Sequence, residues 1–93
     1  MVIGILTITL AIPGANSLKD KRQVLRSLLD NVRRKFNVSA AEIDDNDRWR
    51  QAKLGVACVS NDRRMANRIL DKVVDFIESN PAVSVVAVEL ECV

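Results

Sequence analysis

The chain has 93 residues, of which 48% are hydrophobic and 28% are charged, and its formal net charge is +2. Its length provides for one core, so we expect a single domain over residues 1–93. The composition excludes a disordered chain, a collagen-like chain and a disulfide scaffold. Histidine is absent, which excludes imidazole general bases, Ser/His and Cys/His nucleophile pairs, and the usual zinc ligand sets.

The longest apolar run, residues 2–12, is too short to span a bilayer, and no basic segment precedes it. We therefore expect a cytoplasmic protein that does not bind a membrane. Cys58 and Cys92 both lie in apolar runs. Without a secretory context, they are expected to be reduced core residues rather than a disulfide.

The first half of the chain predicts a strand, a helix and a strand. Apolar alternation predicts the first strand over residues 2–12, which Pro13-Gly14 ends. Ser17, with Asp20 three residues later, resembles a capping box. A helix should therefore begin near Leu18 and run to about Phe36, followed by a short strand over about 38–44.

The second half of the chain repeats this alternation. Residues 44–47 predict a hairpin turn into a strand over about 49–59. Ser60 or Asp62 should cap a second helix that ends near Ser79. The β-branched run over residues 82–93 predicts a fourth strand.

This order predicts an α+β, ferredoxin-like βαββαβ fold, with a four-stranded antiparallel sheet and both helices on one face. The first and third strands should be central, and the second and fourth should be edges. Charges that discourage edge pairing are expected on the edge strands, at Glu42, Asp44, Glu89 and Glu91.

The sheet face that no helix covers should carry a mixed apolar patch. Such a patch predicts a partner surface, most simply a second copy of the protein, and the alternative is ordinary scattered exposure. Trp49 is either an interface anchor or a cover for the end of its own sheet. The residues assigned to self-association are Ile3, Ile5, Trp49, Val83 and Val85.

A basic segment covers the first helix. Between residues 17 and 36 there are seven basic and two acidic residues, a net charge of +5, so the rest of the chain carries −3. Lys19, Lys21 and Arg22 lie where the helix dipole disfavours cations, so helix stability does not explain them. Free N–H groups and cations at a helix start suit a phosphate group. The alternative is that these charges are only solvated.

Helical spacing also places four cations of this segment on one line beside the apolar stripe. Such a line can follow a nucleic-acid backbone, although Asp30 lies inside it and offers intrahelical ion pairs instead. The residues assigned to nucleic-acid or phosphate binding are Ser17, Lys19, Lys21, Arg22, Arg26 and Arg33.

Metal and catalytic sites find little support in the sequence. The acids at 42–47 lack the glycine and the distant glutamate of an EF-hand loop. Acylphosphatase-like enzymes share the predicted element order and use an arginine in the first loop, but residues 13–16 contain none. We therefore expect no enzyme, no metal and no cofactor.

Three motifs together resemble the YlxP-like family of small bacterial proteins: SLKDKR at 17–22, FNVSAAE at 36–42, and Asp47 and Trp49 followed by AKLGVACVS at 52–60. The resemblance extends over essentially all 93 residues. It implies a ferredoxin-like domain of unknown function with no catalytic residues to transfer. Genes of the family often lie beside those for translation initiation and ribosome maturation factors, which implies a role near the ribosome.

Three functional hypotheses follow. The first is a non-enzymatic cytosolic module that binds ribosomal RNA or a ribosome-associated partner through the first helix, as a homodimer. The second is a protein–protein interaction module that acts as a homodimer without nucleic acid. The third is a small-anion or nucleotide site at residues 17–22.

Overall fold

The structure is a computed structural model that describes residues 1–44 and 48–93. The predicted turn at Asp45, Asn46 and Asp47 therefore lies outside the described residues. The elements in chain order are β1 (Val2–Ala11), α1 (Leu18–Lys35), β2 (Ser39–Asp44), β3 (Gln51–Ser60), α2 (Arg63–Glu78) and β4 (Ser84–Cys92).

The four strands form one antiparallel sheet in the order β2-β3-β1-β4. The predicted ferredoxin-like fold is confirmed, with the first and third strands in the centre. β1 and β3 pair without a register shift, from Val2 opposite Ser60 to Ala11 opposite Gln51. Both outer strands contain a register shift. The central pair therefore supplies the regular platform on which the helices pack.

The core lies between the sheet and the two helices. Leu6, Ile8 and Leu10 of β1 are fully buried on the covered face. The helices add two apolar stripes, Leu25, Leu28, Leu29 and Val32 from α1 and Ala66, Leu70, Val73 and Ile77 from α2. The backbone of β1 approaches α2 so closely at Gly4 that a Cβ there would lie 2.9 Å from Leu70 Cδ1. A larger residue at this crossing would have to displace the Leu70 side chain, so glycine is favoured here.

Both helices begin at caps that the sequence predicted. Ser17 Oγ accepts the N–H of Asp20 at 3.1 Å, and Asp20 Oδ2 accepts the N–H of Asn16 at 3.0 Å. At α2, Asp62 is the cap, because its Oδ1 accepts the N–H of Arg64 at 2.9 Å. Side-chain acceptors therefore satisfy donors that both helix starts leave without an intrahelical partner.

The face predicted for Val83 and Val85 is wrong. The register of β4 shifts between its pairings with Thr9 and Leu10, so that Ala87 lies opposite Thr9 but Val85 lies opposite Leu10. Because a one-residue shift moves the following side chains to the other face, Val85 packs against the core. Val83 is buried there as well. Neither residue belongs to the open face, which alternation without a bulge had suggested.

The two cysteines are free thiols on either side of β1. Gly4 pairs with Cys58 on one side and with Cys92 on the other. Neighbouring strands are about 4.8 Å apart. The Cα atoms of Cys58 and Cys92, which lie two strands apart, are therefore separated by about 10 Å, beyond the roughly 7 Å limit of a disulfide. The expectation that they form no disulfide is confirmed. Among the described residues, neither helix is long and apolar enough to cross a membrane.

Candidate nucleic-acid interface on α1

Lys21 does not belong to the exposed basic surface, and its assignment to phosphate binding is wrong. The side chain is 1% exposed, and its Nζ lies 2.9 Å from Oε2 of Glu42. Glu42 was predicted to be a charge that protects a sheet edge. Instead it lies opposite Leu54, a fully buried residue, and so points towards the helices. The two charges form an ion pair between α1 and β2.

Helical spacing explains why this lysine is buried. Lys21, Leu25, Leu28 and Val32 follow one another at intervals of four, three and four residues, so they occupy the same side of α1. The stem of Lys21 therefore extends over the covered face of the sheet, where β2 provides Glu42. The sequence contained this signal, but the prediction was based on the charge of the residue and not on its position in the apolar stripe.

The basic residues at the end of α1 are also engaged within the chain. Arg33 Nη2 donates to the carbonyl oxygen of Ala40 in β2 at 2.5 Å, and Arg33 Nη1 lies 3.4 Å from Asp30 Oδ1. Lys35 Nζ lies 4.9 Å from the centre of the Phe76 ring, a cation–π distance. Arg33 is thus a link between α1 and an edge strand, and only part of its donor capacity remains for a ligand.

Lys19, Arg22 and Arg26 remain as the exposed line of cations. None of the three forms an ion pair with another described residue. At a rise of 1.5 Å per residue, Lys19 and Arg26 are about 10 Å apart along the helix axis, with Arg22 between them. Their helical positions fall within about 60°. The structure therefore brings together three of the six predicted binding residues as an accessible stripe.

A shallow polar groove lies beside this stripe along the exposed side of α1. It has a volume of about 360 Å³. Its lining contains two arginines, one acid and three neutral hydrogen-bonding side chains, which are Arg26, Arg34, Asp30, Gln23, Ser27 and Asn31. The three neutral residues were not among those predicted from the sequence. Their spacing on the solvent side of the helix was the available signal.

Ser17 is the cap of α1, and Trp49 lies outside the line of cations. The Ser17 hydroxyl accepts the Asp20 N–H as the helix cap. The Asp20 carboxylate lies in the first turn and bonds Asn16, so negative charge already occupies this helix terminus. This disfavours the small-anion hypothesis. Trp49 is exposed just before β3, where the neighbouring Arg50 donates from Nε to Ala15 O at 3.0 Å.

The open face of the sheet is unsuited to nucleic acid. Ile3 and Ile5 lie on it as predicted, since they alternate along β1 with Leu6 and Ile8, which are buried under the helices. Glu89 and Glu91 also lie on it, opposite Thr7 and Ile5. Carboxylates repel phosphates, so the acidic border of this face directs any polyanion to the helix side of the molecule.

Comparison with known proteins identifies the family. A family model described as "Protein of unknown function (DUF503)" matches residues 3–90. The chain belongs to this family. It is 40% identical over 82 residues to "Uncharacterized protein YlxP" of Bacillus subtilis (strain 168), across 88% of this chain and 89% of that protein. This match confirms the YlxP-like resemblance.

Among solved structures, the chain is similar to a de novo designed protein with a ferredoxin fold. The TM-score is 0.59, the sequence identity is 12%, and the match covers 98% of this chain and 85% of the designed protein. At this identity the similarity shows the fold alone. Within the DUF503 chain described here, two of the three motifs that carry the family resemblance meet in the Lys21–Glu42 ion pair.

Proposed function

We propose that this DUF503 protein is a non-enzymatic module that contacts the phosphate backbone of ribosomal RNA through Lys19, Arg22 and Arg26. The observation that carries the proposal is the position of these three cations. They are exposed, share one side of α1, and form no ion pair with another described residue. A stripe of this kind presents N–H donors at the spacing of one helix turn along a charged strand.

Stability of the fold does not explain why Lys19 and Arg22 are cations. Lys19 and Arg22 lie in the first two turns of α1, where each cation costs about 0.3 to 1 kcal/mol against the helix dipole. Burial and ion pairing account for Lys21, whereas Lys19 and Arg22 are exposed and form no ion pair within the part of the chain that the structure describes. An exposed residue that costs helix stability and forms no ion pair with another described residue fits a role in binding.

The polar groove supports RNA as the ligand class. Gln23, Ser27 and Asn31 line it beside Arg26, and neutral donors and acceptors of this kind suit the 2′-hydroxyl groups of RNA. Backbone contacts carry no base specificity. The gene neighbourhood that the family resemblance implies is what directs the proposal to ribosomal RNA.

The experiment compares two triple variants with the wild type. The first is Lys19→Gln, Arg22→Gln and Arg26→Gln; the control is Arg63→Gln, Arg64→Gln and Arg68→Gln, which removes the same charge from exposed positions on α2. Fluorescence anisotropy measures the affinity for a labelled ribosomal RNA hairpin between about 50 and 200 mM salt. Co-sedimentation with ribosomes provides a second measurement.

The α1 variant should lose most of its affinity at low salt. Each lost phosphate contact lowers the salt slope by about 0.7 to 0.9, so three contacts correspond to about 2 to 3 units. The α2 variant should retain the wild-type slope. Equal losses in both variants would reduce the proposal to diffuse charge, and a wild type that binds neither the hairpin nor ribosomes would leave the protein–protein interaction hypothesis.

A further inference from the structure

The two edges of the sheet differ in how they are protected. β2 is six residues long, contains a bulge, and receives the Arg33 guanidinium on its Ala40 carbonyl. β4 is nine residues long and contains neither lysine nor proline. Short length, bulges and covering groups are the means by which edge strands avoid pairing with another chain. β2 uses all three, whereas β4 has a bulge near its start and two acidic side chains, Glu89 and Glu91, on its open face.

The hydrogen-bonding groups of β4 that point away from the sheet can be identified. Ile3 and Val93 exchange both backbone hydrogen bonds, at 2.8 and 2.9 Å. Antiparallel pairs alternate between bonded and non-bonded, and the register runs unshifted from Gly4 opposite Cys92 to Ile8 opposite Val88. Val88, Leu90 and Cys92 are therefore in non-bonded pairs with β1. Their N–H and C=O groups are directed towards the open edge.

The same edge exposes apolar side chains. Val88 and Leu90 lie on the covered face, opposite Ile8 and Leu6, yet they are 43% and 37% exposed because the helices do not extend over the outermost strand. Val86, at the bulge, is 64% exposed. An exposed row of β-branched and aliphatic side chains beside outward-pointing backbone groups has the features of a strand-pairing edge.

The sequence of β4 is self-complementary about Val88. In an antiparallel pair of two copies centred there, Val88 lies opposite Val88 of the partner subunit, and Leu90 lies opposite the partner's Val86. Glu89 then lies opposite the partner's Ala87. A centre at Leu90 would place Glu89 opposite the partner's Glu91 twice, and like charges directly opposite one another are destabilising. The two acids therefore select the register at Val88.

We propose that the occupant of this edge is a second copy of the chain, paired β4 to β4 about a two-fold axis at Val88. The pairing joins two four-stranded sheets into one continuous sheet and covers the apolar row on the helix side of both copies. It leaves α1 exposed, so it is independent of the RNA proposal. The proposed interface is therefore at the β4 edge and not on the open face of the sheet, because Val83 and Val85 pack in the core.

The test uses sedimentation equilibrium up to about 1 mM chain, a range that detects even a weak interface. Val88→Lys places a charge at the two-fold axis and should weaken association at least about tenfold. Val59→Lys on the open face of β3 is the matched control and should associate as the wild type does. Ile5→Glu, which tests the alternative interface on the open face, should likewise have no effect. Circular dichroism verifies that each variant is folded.

Cross-linking tests the register independently of these variants. In a background with Cys58→Ala and Cys92→Ser, Val88→Cys should form an intermolecular disulfide under mild oxidation, because opposed Cα atoms in a bonded pair are about 5.5 Å apart. Glu89→Cys should not form this disulfide. Position 89 lies opposite the partner's Ala87, so the two introduced cysteines are offset by two residues along the strands. A monomer at every concentration, association abolished by Ile5→Glu but not by Val88→Lys, or equal cross-linking at both positions would overturn the proposal.

Discussion

Replacing Lys21 by methionine removes the ammonium group that pairs with Glu42 and keeps an apolar stem of similar length. The carboxylate atom Oε2 of Glu42 is buried, and apart from the Lys21 ammonium no described residue donates to it. It would therefore lose the cation 2.9 Å away. Breaking a fully buried pair costs about 3 to 5 kcal/mol. Because the Glu42 side chain is 22% exposed, water compensates in part, and we expect about 3 kcal/mol.

The apolar double variant, Lys21→Met with Glu42→Leu, should recover most of this loss. At 2.9 Å the attraction between the charges is about 6 kcal/mol for an effective dielectric constant of 20, but desolvation costs several kcal/mol per ion. The two contributions nearly cancel, so an apolar pair of similar volume should come within about 1 kcal/mol of the wild type. Glu42→Leu alone should cost about 3 kcal/mol as well, because it removes the carboxylate that pairs with the buried Lys21 ammonium. With a double variant within about 1 kcal/mol of the wild type, the double-mutant cycle should give a coupling energy of about 5 kcal/mol.

Thermal unfolding followed by circular dichroism measures both variants. In a chain of this size, 3 kcal/mol corresponds to a fall in Tm of about 12 to 24 °C. The difference should persist at high salt, because buried pairs are weakly screened. The helix dipole alone makes the opposite prediction, that removing a cation from the first turn stabilises α1. A Lys21→Met variant with unchanged or raised Tm would refute the argument from the buried pair.

Two further predictions concern the covered face next to α2. Gly4→Ala should cost about 1 to 3 kcal/mol by overpacking, because the new Cβ would lie 3.2 Å from Ala66 Cβ; Gly14→Ala, which meets nothing within 4 Å, should be neutral or slightly stabilising, and equal Tm values for the two variants would contradict this. Burial raises the pKa of the Cys58 thiol, so the folded state favours its neutral form, and the stability of the wild type relative to Cys58→Ala should be complete at neutral pH and fall as the pH rises above the ordinary thiol value. A difference in Tm that is constant between pH 7 and 10 would show that Cys58 makes no such contribution.

Local patterns were sufficient to predict the element order, both helix caps and the central strands. These features depend on residues near in sequence, such as Ser17 with Asp20. The faces of the central strands were also predictable, because β1 and β3 alternate without interruption from Val2 to Ala11 and from Gln51 to Ser60. Where the strand contains a bulge, the alternation changes phase. Val83 and Val85 were misplaced for this reason, since the bulge depends on the fit of β4 to β1 rather than on β4 alone.

The binding residues were less predictable, because charge does not determine exposure. Lys21, Arg33 and Lys35 each have a partner on another element or at the helix end. Their partners Glu42, Ala40 and Phe76 are up to 41 residues away in sequence. Only the folded chain shows which cations these contacts occupy. Helical periodicity places Lys21 in the apolar stripe, but it does not show that Arg33, on the exposed line of cations, reaches the Ala40 carbonyl of β2.

The positions of the charges separate two functions within one helix. Lys21 and Arg33 bind acceptors of the edge strand β2 and so hold the helix on the sheet, Lys21 from the side over the sheet and Arg33 from the end of the exposed line of cations. Lys19, Arg22 and Arg26 lie on the side that faces solvent, where a bound phosphate strand would displace no contact of the fold. Substitutions at Lys21 and Arg33 should therefore lower Tm, whereas those at the three exposed positions should lower polyanion affinity and leave Tm unchanged or slightly raised. The cations that hold the helix on the sheet and those that face solvent alternate along the sequence. The net charge of +5 sums both groups, so by itself it does not show how many cations are available to a ligand.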